Sequence, residues 1–245
     1  MAQTTATTTP SATAGKSLPA RLMGILLSPR AAYADVVARP RVLGALGVVI
    51  LISSVAVYTF MSTEVGKQAG LDMQVRQMES FGRTMSDVQY QRMEQMAGYS
   101  KYFAAGAQVV TLPLMALVIA GIAFAVFNAV LGGDATFKQV YAVVAHSGVI
   151  IAVQQLFTLP LDYMRETLSS PTNLAVFLPF LDENSFPARL LGSIDLFVIW
   201  WSISLAIGLG VLYRKRTGPI ATTLLVIYVT IGLVIAAVKT ALAGA

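Results

Sequence analysis

The chain has no cysteine and unusually few charged residues. Only 12% of its 245 residues are charged, whereas 56% are hydrophobic. Without cysteine it can form no disulfide, no thiolate metal site and no cysteine nucleophile. Soluble domains carry roughly 25% charged residues, so this chain lacks about half of the charge that a water-exposed surface needs. The shortage excludes an ordinary soluble domain and indicates a membrane protein.

Histidine is almost absent as well, which limits the possible catalytic and metal sites. His146 is the only histidine, whereas a zinc-protease helix needs two of them in a His-Glu-x-x-His motif. The neighbouring Ser147 cannot form a serine–histidine dyad with His146, because adjacent residues on a helix do not face each other. The sequence also lacks a Gly-x-Ser-x-Gly nucleophile turn. We therefore expect no enzymatic activity, no bound metal and no cofactor.

The net charge of +5 does not indicate nucleic-acid binding, because the basic residues are scattered between long apolar segments instead of forming one patch. Five apolar segments contain neither Lys nor Arg: 42–61, 103–130, 139–161, 194–213 and 219–238. Each reaches the roughly 20 residues that a helix needs to cross a bilayer. The sequence therefore predicts an all-α, polytopic membrane bundle of about five transmembrane helices, with lipid as its surroundings and no nucleic-acid partner.

The N-terminal region differs from these segments. Residues 1–17 are rich in Thr, Ala and Ser and predict a disordered tail, which leaves residues 18–245 as a single transmembrane domain. Between 18 and 39, leucines recur at helical spacing, and Ser28-Pro29 favours the start of a second helix. We expect two amphipathic helices on the membrane surface, with their basic residues near anionic lipid. A partly ordered linker is the alternative.

The distribution of basic residues predicts the orientation. With five spans, the N-terminal segment shares one side with residues 131–138 and 214–218, and together they hold nine Lys or Arg residues. The other side holds eight, spread over a longer stretch of chain. Under the positive-inside rule, this favours a multi-pass protein of the cytoplasmic membrane with its N-terminus in the cytoplasm and its C-terminus outside.

Two long loops are predicted on the outer side. Residues 62–102 alternate charged residues with methionine, and Ser86 followed by Gln89 has the spacing of a capping box. We expect two amphipathic helices there, the second beginning near Asp87. Ordinary packing is the favoured role of the methionines, with recognition of a partner as the alternative. Residues 162–193 contain three prolines and predict an irregular loop with short helices at most.

Local signals also occur inside and between the spans. Pro113 lies within the second apolar segment and predicts a kink. Gly132 and Gly133 suit the left-handed end of that helix, and Asp134 or Thr136 can cap the next one. The Gly-Lys-Ser/Thr ending of a phosphate-binding loop is missing here. We therefore interpret this stretch as a tight turn between two helices.

Small residues recur at helical spacing on two of the spans. One row, on the second span, consists of Gly121, Ala125 and Ala129. Ser204 and Gly208 form another on the fourth span. Small residues let the backbones of membrane helices approach closely, so we predict that both rows are helix–helix contacts.

Polar residues within the spans are the candidate functional residues, because such groups in a membrane commonly mark a function. They are Asn128, His146, Gln154, Gln155 and Asp195. We hypothesise that His146 and Asn128 share an interhelical hydrogen bond, whereas Asp195 meets Gln, Tyr or Arg189 side chains near the outer rim. Polar contacts between membrane helices also fix packing, and this structural role is the favoured one for all of them.

Three stretches of sequence occur in a fixed order relative to the five spans. They are residues 27–33 with 39–40, residues 132–147, and residues 195–209. Together they resemble the Yip1-domain family of multi-pass membrane proteins, particularly its bacterial branch, from about residue 20 to the end of the chain. The resemblance implies a five-helix membrane domain with a cytoplasmic N-terminus. Eukaryotic relatives are linked to vesicle traffic and lipidated small GTPases, but nothing in this chain supports transferring those partners.

These observations favour a non-enzymatic membrane protein that acts as a scaffold or organises the surrounding membrane. The predicted surface helices and the polar helices of the outer loop are the features behind this hypothesis. A small transporter or permease subunit is the alternative, because of Pro113 and the polar residues within the spans. Five spans do not divide into the two equal repeats that are common in transporters. The sequence identifies no small-molecule substrate and no protein partner.

Overall fold

A computed structural model of the protein describes residues 15–182 and 185–243, which form eleven α-helices joined by turns and loops. The helices are α1 Leu18–Leu27, α2 Pro29–Ala38, α3 Leu43–Met61, α4 Glu64–Glu79, α5 Asp87–Met96, α6 Ser100–Phe124, α7 Phe137–Ser147, α8 Val149–Arg165, α9 Phe186–Gly192, α10 Leu196–Leu212 and α11 Thr217–Ala243. The described residues contain no strand, so the predicted all-α fold is confirmed. Apart from residues 15–17, the predicted disordered tail lies outside the described residues.

The five predicted spans correspond to apolar helices. Four helical stretches are long and apolar enough to cross a membrane, namely Leu43–Met61, Asp87–Val130, Phe137–Arg165 and Thr217–Leu242. The remaining span is α10, whose 17 residues equal the minimum of roughly 17 for a spanning helix. The predicted polytopic bundle of membrane helices is thereby confirmed.

Successive spans run in alternating directions, so the bundle has two ends, which we name by what lies there. The hairpin end carries α1, α2 and the turns at 131–136 and 213–216. The loop end carries residues 62–99 and 166–195. The C-terminal turn of α11 also reaches the loop end, where a Cβ added to Gly82 would lie 2.8 Å from the Leu242 carbonyl oxygen.

The predicted capping signals start the helices where expected. Ser86 and Gln89 form a capping box at the start of α5, with Ser86 N donating to Gln89 Oε1 at 3.0 Å. Thr136 and Gln139 form a second capping box at the start of α7. These bonds satisfy backbone N–H groups that have no partner inside the helix. Gly132 has a φ of +67° at the preceding turn, which confirms the predicted left-handed residue.

The second span ends in an unusual way. Its helix α6 contains Pro113 and is continuous from Ser100 to Phe124, and Ala125–Val130 then widens into a π-helix. The predicted kink at Pro113 stays a prediction. Leu131 N closes the π-helix by donating to Val126 O at 3.0 Å.

Helices α1 and α2 form a hairpin that packs into the bundle. Helix α2 contacts α7 and α10, and Ala32, Tyr33 and Val36 on its apolar face are fully buried. The two predicted amphipathic helices are therefore present, but their apolar faces contact protein. For Arg21 the prediction of a position near anionic lipid is wrong, because the residue is only 2% exposed and its guanidinium pairs with Asp35.

The two rows of small residues have different outcomes. Ser204 is buried, and a Cβ on Gly208 would lie 2.5 Å from a methyl group of Val143, so this row is the predicted helix contact. Gly121 has no atom within 4 Å of its added Cβ, and Ala125 and Ala129 are exposed. The prediction for that row is wrong, because small residues permit close approach without determining which face another helix occupies.

The short helices predicted in the two long loops are present, whereas the amphipathic character of those in the first loop stays a prediction. Residues 62–102 contain the two helices α4 and α5, of which α5 buries no residue. The span before the second loop is longer than predicted, since α8 continues to Arg165. The rest of that loop is irregular among the described residues, with a 3-10 turn at Leu174–Phe177 and the short α9.

Candidate functional site

Asn128, the first candidate, ties the turn at the hairpin end to Tyr213, the residue that follows α10. Its Nδ2 donates to Ala135 O at 2.7 Å, and its Oδ1 accepts from the Tyr213 hydroxyl at 2.7 Å. The Tyr213 ring stacks on Phe127 with 4.6 Å between ring centroids. Each part of the amide is therefore used to hold three chain segments together.

His146 does not make the hydrogen bond that the sequence suggested. Its Nδ1 lies 2.8 Å from Ala142 O, and because a carbonyl only accepts, Nδ1 is the donor. The hypothesised bond to Asn128 is wrong, since Asn128 is engaged at the turn and the imidazole bonds its own helix. Its Nε2 is buried and has no hydrogen-bond partner among the described residues.

A buried ion pair lies in the α1–α2 hairpin, and the sequence did not predict it. Arg21 Nε is 2.7 Å from Asp35 Oδ2, and the two side chains are only 3% and 18% exposed. Arg21 also donates to Arg39 O at 3.0 Å, so its guanidinium holds the C-terminal end of α2 against α1. Opposite charges on neighbouring short helices were the available signal for this pair.

Asp195 and Gln154 meet at the loop end, as the sequence suggested for Asp195. The carboxylate accepts from Gln154 Nε2 at 3.1 Å and from Thr172 Oγ1 at 2.7 Å, and a third bond comes from Ser170 Oγ. Its Oδ1 also caps α10 by accepting from Phe197 N at 2.8 Å. The predicted Gln contact is thus confirmed, and both oxygens have structural partners.

Gln155, the remaining candidate, faces away from Gln154 because neighbours on a helix point in different directions. It lines a cavity of about 710 Å³ that we call the loop-end cavity. The wall is formed by α3, α4, α5, α6 and α8 and by residues between and after them. Four of its residues are methionines, namely Met61, Met73, Met93 and Met96.

Charged and polar residues also line the loop-end cavity, and the sequence did not group them. They are Lys67, Gln74, Arg92, Ser100, Gln155 and Asp162. Ligand pockets are typically apolar with a few polar groups that fix orientation, and this lining has that composition. The described residues hold no group of three or more His, Cys, Asp or Glu that could bind a metal ion. The arrangement suits a ligand with one apolar and one charged part.

Comparison with known proteins places the chain in a family. The family model of the Yip1 domain matches residues 23–238, which is nearly the whole chain. Searches of curated proteins and of solved structures give no match. The match begins within α1 and covers α2 and all five predicted apolar spans, including the three stretches that carried the resemblance in the sequence. The chain therefore belongs to the Yip1 domain family of membrane proteins.

Proposed function

We propose that this protein organises the surrounding membrane without catalysing a reaction, by holding lipid in the loop-end cavity. The observation that carries the proposal is the cavity itself. Its volume of about 710 Å³ lies within the roughly 300–1,000 Å³ that ligand sites occupy. Met73 and Met96 in its wall are 43% and 59% exposed. Flexible, polarisable methionines fill irregular gaps and adapt to varied apolar ligands.

The contacts of the polar candidates support a non-enzymatic role. Both polar atoms of the Asn128 amide bond to protein groups, and the Asp195 carboxylate accepts several bonds at the loop end. A catalytic acid or base must instead reach a substrate atom directly or through one water. The same contacts favour packing over the transporter alternative, which stays a prediction from the sequence.

The same proposal includes the orientation in the cytoplasmic membrane, with the hairpin end in the cytoplasm. The exposed run Arg214-Lys215-Arg216 supports it, since basic residues accumulate on the cytoplasmic side. Because the chain has no cysteine, single cysteines can be introduced without background. In intact cells, a membrane-impermeant maleimide should label Gln91→Cys at the loop end and spare Lys215→Cys. The reverse pattern would overturn the orientation.

Lipid retention tests the proposed function directly. The protein is purified in mild detergent, and its bound phospholipid is measured by native mass spectrometry before and after cavity filling. Gly70→Leu is a suitable filling variant, because its Cβ would meet only the flexible end of Met61, at 2.8 Å. We expect this variant to retain at least fivefold less phospholipid than the wild type. A bound lipid of unchanged mass after long incubation is the result expected of a non-enzymatic protein.

Gly106→Leu is the matched control, because it makes the same chemical change where no atom lies within 4 Å. It should retain as much phospholipid as the wild type. Equal lipid retention by the wild type and Gly70→Leu would overturn the role of the cavity. Conversion of the bound lipid to a product of different mass would overturn the non-enzymatic part of the proposal.

A further inference from the structure

The loop-end cavity is arranged in two levels along the bundle. Val57, Ala104 and Leu159 line it from within the apolar spans α3, α6 and α8. Lys67 and Arg92 line it from α4 and α5, which follow the loop end of the first span. A floor that is apolar except for Gln155, at the level of the hydrocarbon, and a basic level beyond it match the two parts of a membrane lipid.

The two basic residues are available to an anionic group. Arg92 is exposed and has no hydrogen bond or ion pair within the described part of the chain. Lys67 Nζ contacts Glu64 Oε1 at 2.7 Å, but the Glu64 side chain is 89% exposed. Such exposed pairs contribute at most about 1 kcal/mol, so a phosphate can displace Glu64. Arg and Lys are the side chains that commonly bind phosphate.

Asp162 adds a requirement of the opposite kind. It lines the same cavity, and its Oδ1 is buried without a hydrogen-bond partner in the described residues. A buried acceptor without a partner costs roughly 1–3 kcal/mol, so a bound group that donates a hydrogen bond there is favoured. A headgroup whose polar groups are all anionic acceptors has no donor for this oxygen. The Asp162 carboxylate would also repel it.

Building on the proposed function, we infer that the loop-end cavity selects a glycerophospholipid whose headgroup also donates hydrogen bonds. The acyl chain occupies the apolar level beside Ala104 and Leu159. The phosphate lies between Lys67 and Arg92, and an ammonium or hydroxyl group of the headgroup donates to Asp162. Phosphatidylethanolamine and phosphatidylglycerol satisfy all three requirements. Phosphatidylcholine offers the phosphate and the chains but has no N–H or O–H donor.

Lipid titration of the full chain tests this selection. Detergent-purified, delipidated protein is titrated with the three lipids, each with identical acyl chains, and binding is followed by native mass spectrometry. We expect phosphatidylethanolamine and phosphatidylglycerol to bind at least tenfold more tightly than phosphatidylcholine. Asp162→Asn removes the carboxylate that accepts from the headgroup. It should reduce the preference for these two lipids over phosphatidylcholine at least threefold, with less effect on the affinity for phosphatidylcholine itself.

The phosphate contacts have a matched control on the same side of the molecule. Arg92→Gln should weaken binding of all three lipids at least fivefold, because all three carry the phosphate. Arg83→Gln removes another exposed arginine that does not line the cavity, and it should leave every affinity unchanged. Far-ultraviolet circular dichroism of each variant confirms that the helices are intact.

The outcomes separate this inference from the proposed function. If the wild type binds phospholipid, Gly70→Leu does not, and all three lipids bind equally, the cavity holds lipid but headgroup selection is wrong. The inference is also overturned if Arg83→Gln weakens binding as much as Arg92→Gln, since general surface charge would then explain it. If the wild type binds no phospholipid at all, the proposed function fails together with the inference.

Discussion

The hairpin end and the loop end of the bundle are formed by the same spans but are packed differently. Among the residues that the structure describes, the main apolar core, which the α1–α2 hairpin helps to form, contains eighteen buried residues. At the loop end, the described residues form a second core of Phe60, Met61 and Ala69, and the cavity lies beside it. Ligand-binding regions are generally drawn from the less stable parts of a protein. We therefore infer that the hairpin end contributes most of the stability, whereas the proposed lipid site lies at the less tightly packed end.

The largest expected effect comes from breaking the ion pair at the hairpin end. Arg21→Met leaves the Asp35 carboxylate without its cation in a site where both side chains are largely buried. Removing one partner of a buried pair costs about 3–5 kcal/mol. We expect a loss near the lower limit, seen as reduced thermal stability in detergent. Tryptophan fluorescence can follow this unfolding, because Trp201 packs against the main core.

The matched change at the loop end is Glu64→Gln, which breaks the Lys67–Glu64 pair by altering the partner whose side chain is 89% exposed. It should leave the unfolding temperature unchanged, since exposed pairs contribute little. Restoring part of the lost stability with the double variant Arg21→Met/Asp35→Leu would identify the unpaired charge as the cause. Equal losses from Arg21→Met and Glu64→Gln would contradict the contrast between the ends.

Overpacking at a glycine gives the next largest effect. Gly208→Leu would place its Cβ against Val143 and, at 2.8 Å, against the Tyr33 ring, where neither neighbour is a flexible chain end. Inserting atoms into a packed core costs about 1–3 kcal/mol. The variant should also weaken the 2.9 Å bond between the Tyr33 hydroxyl and Ser204 Oγ. Thermal unfolding in detergent measures the loss.

Gly106→Leu is the comparison at the loop-end half of α6. Its added Cβ meets no atom within 4 Å, so we expect no loss of stability. A destabilisation by Gly106→Leu as large as that of Gly208→Leu would mean that the two halves are equally tightly packed. A smaller loss for Gly106→Leu than for Gly208→Leu would locate the tight packing at the contact of α10 with α2 and α7.

A third prediction concerns Asp195, whose carboxylate accepts several hydrogen bonds at the loop end. Asp195→Asn replaces one acceptor oxygen by a donor facing hydroxyl groups of Ser170 and Thr172. Hydrogen bonds to a charged group contribute about 1.5–3 kcal/mol, and rotation of the hydroxyls recovers part of this. We expect a loss of about 1 kcal/mol in detergent.

Asp134→Asn, an exposed carboxylate at the hairpin end, is the control and should have no measurable effect. For these carboxylate substitutions the loop end is expected to lose more stability than the hairpin end. The contrast between the two ends therefore concerns only the packing of apolar groups. If Asp134→Asn were the more destabilising change, the bonds around Asp195 would not be holding α8, α10 and the intervening loop together.

Local signals in the sequence predicted the helices but not the site. Apolar runs and the pairs Ser86–Gln89 and Thr136–Gln139 act within one helix, so they are legible without tertiary structure. The loop-end cavity combines Val57 with Leu168 and residues between them, which only the packing of five helices brings together. The predicted helix contact at the Gly121 row was wrong for the same reason, since small residues alone do not specify a neighbouring helix.

The hydrogen bond of Tyr213 is another feature that the sequence did not show. Its hydroxyl donates to Asn128 Oδ1 at 2.7 Å and so joins the residue after α10 to the π-helical end of the second span. The two residues are 85 positions apart in the sequence, so this bond could be found only in the folded chain.

The smallest effects come from the two capping boxes, which have the same chemistry at opposite ends. Thr136→Ala and Ser86→Ala each remove the side chain that accepts from the backbone N–H three residues later, at 3.4 Å in both cases. Losing such a cap costs about 1 kcal/mol of helix stability. The helix that loses the cap differs: α7 buries seven residues, whereas α5 buries none.

Because α7 unfolds together with the main core, Thr136→Ala should lower the unfolding temperature of the whole protein in detergent. Ser86→Ala should leave that temperature unchanged and instead speed amide hydrogen exchange in α5 about fivefold, since 1 kcal/mol of local opening free energy corresponds to a factor of about 5. Exchange measured by mass spectrometry separates the two responses. If Ser86→Ala lowers the global unfolding temperature as much as Thr136→Ala does, α5 belongs to the same cooperative unit as the core. The cavity wall would then be rigid, and lipid would have to enter it without movement of α5.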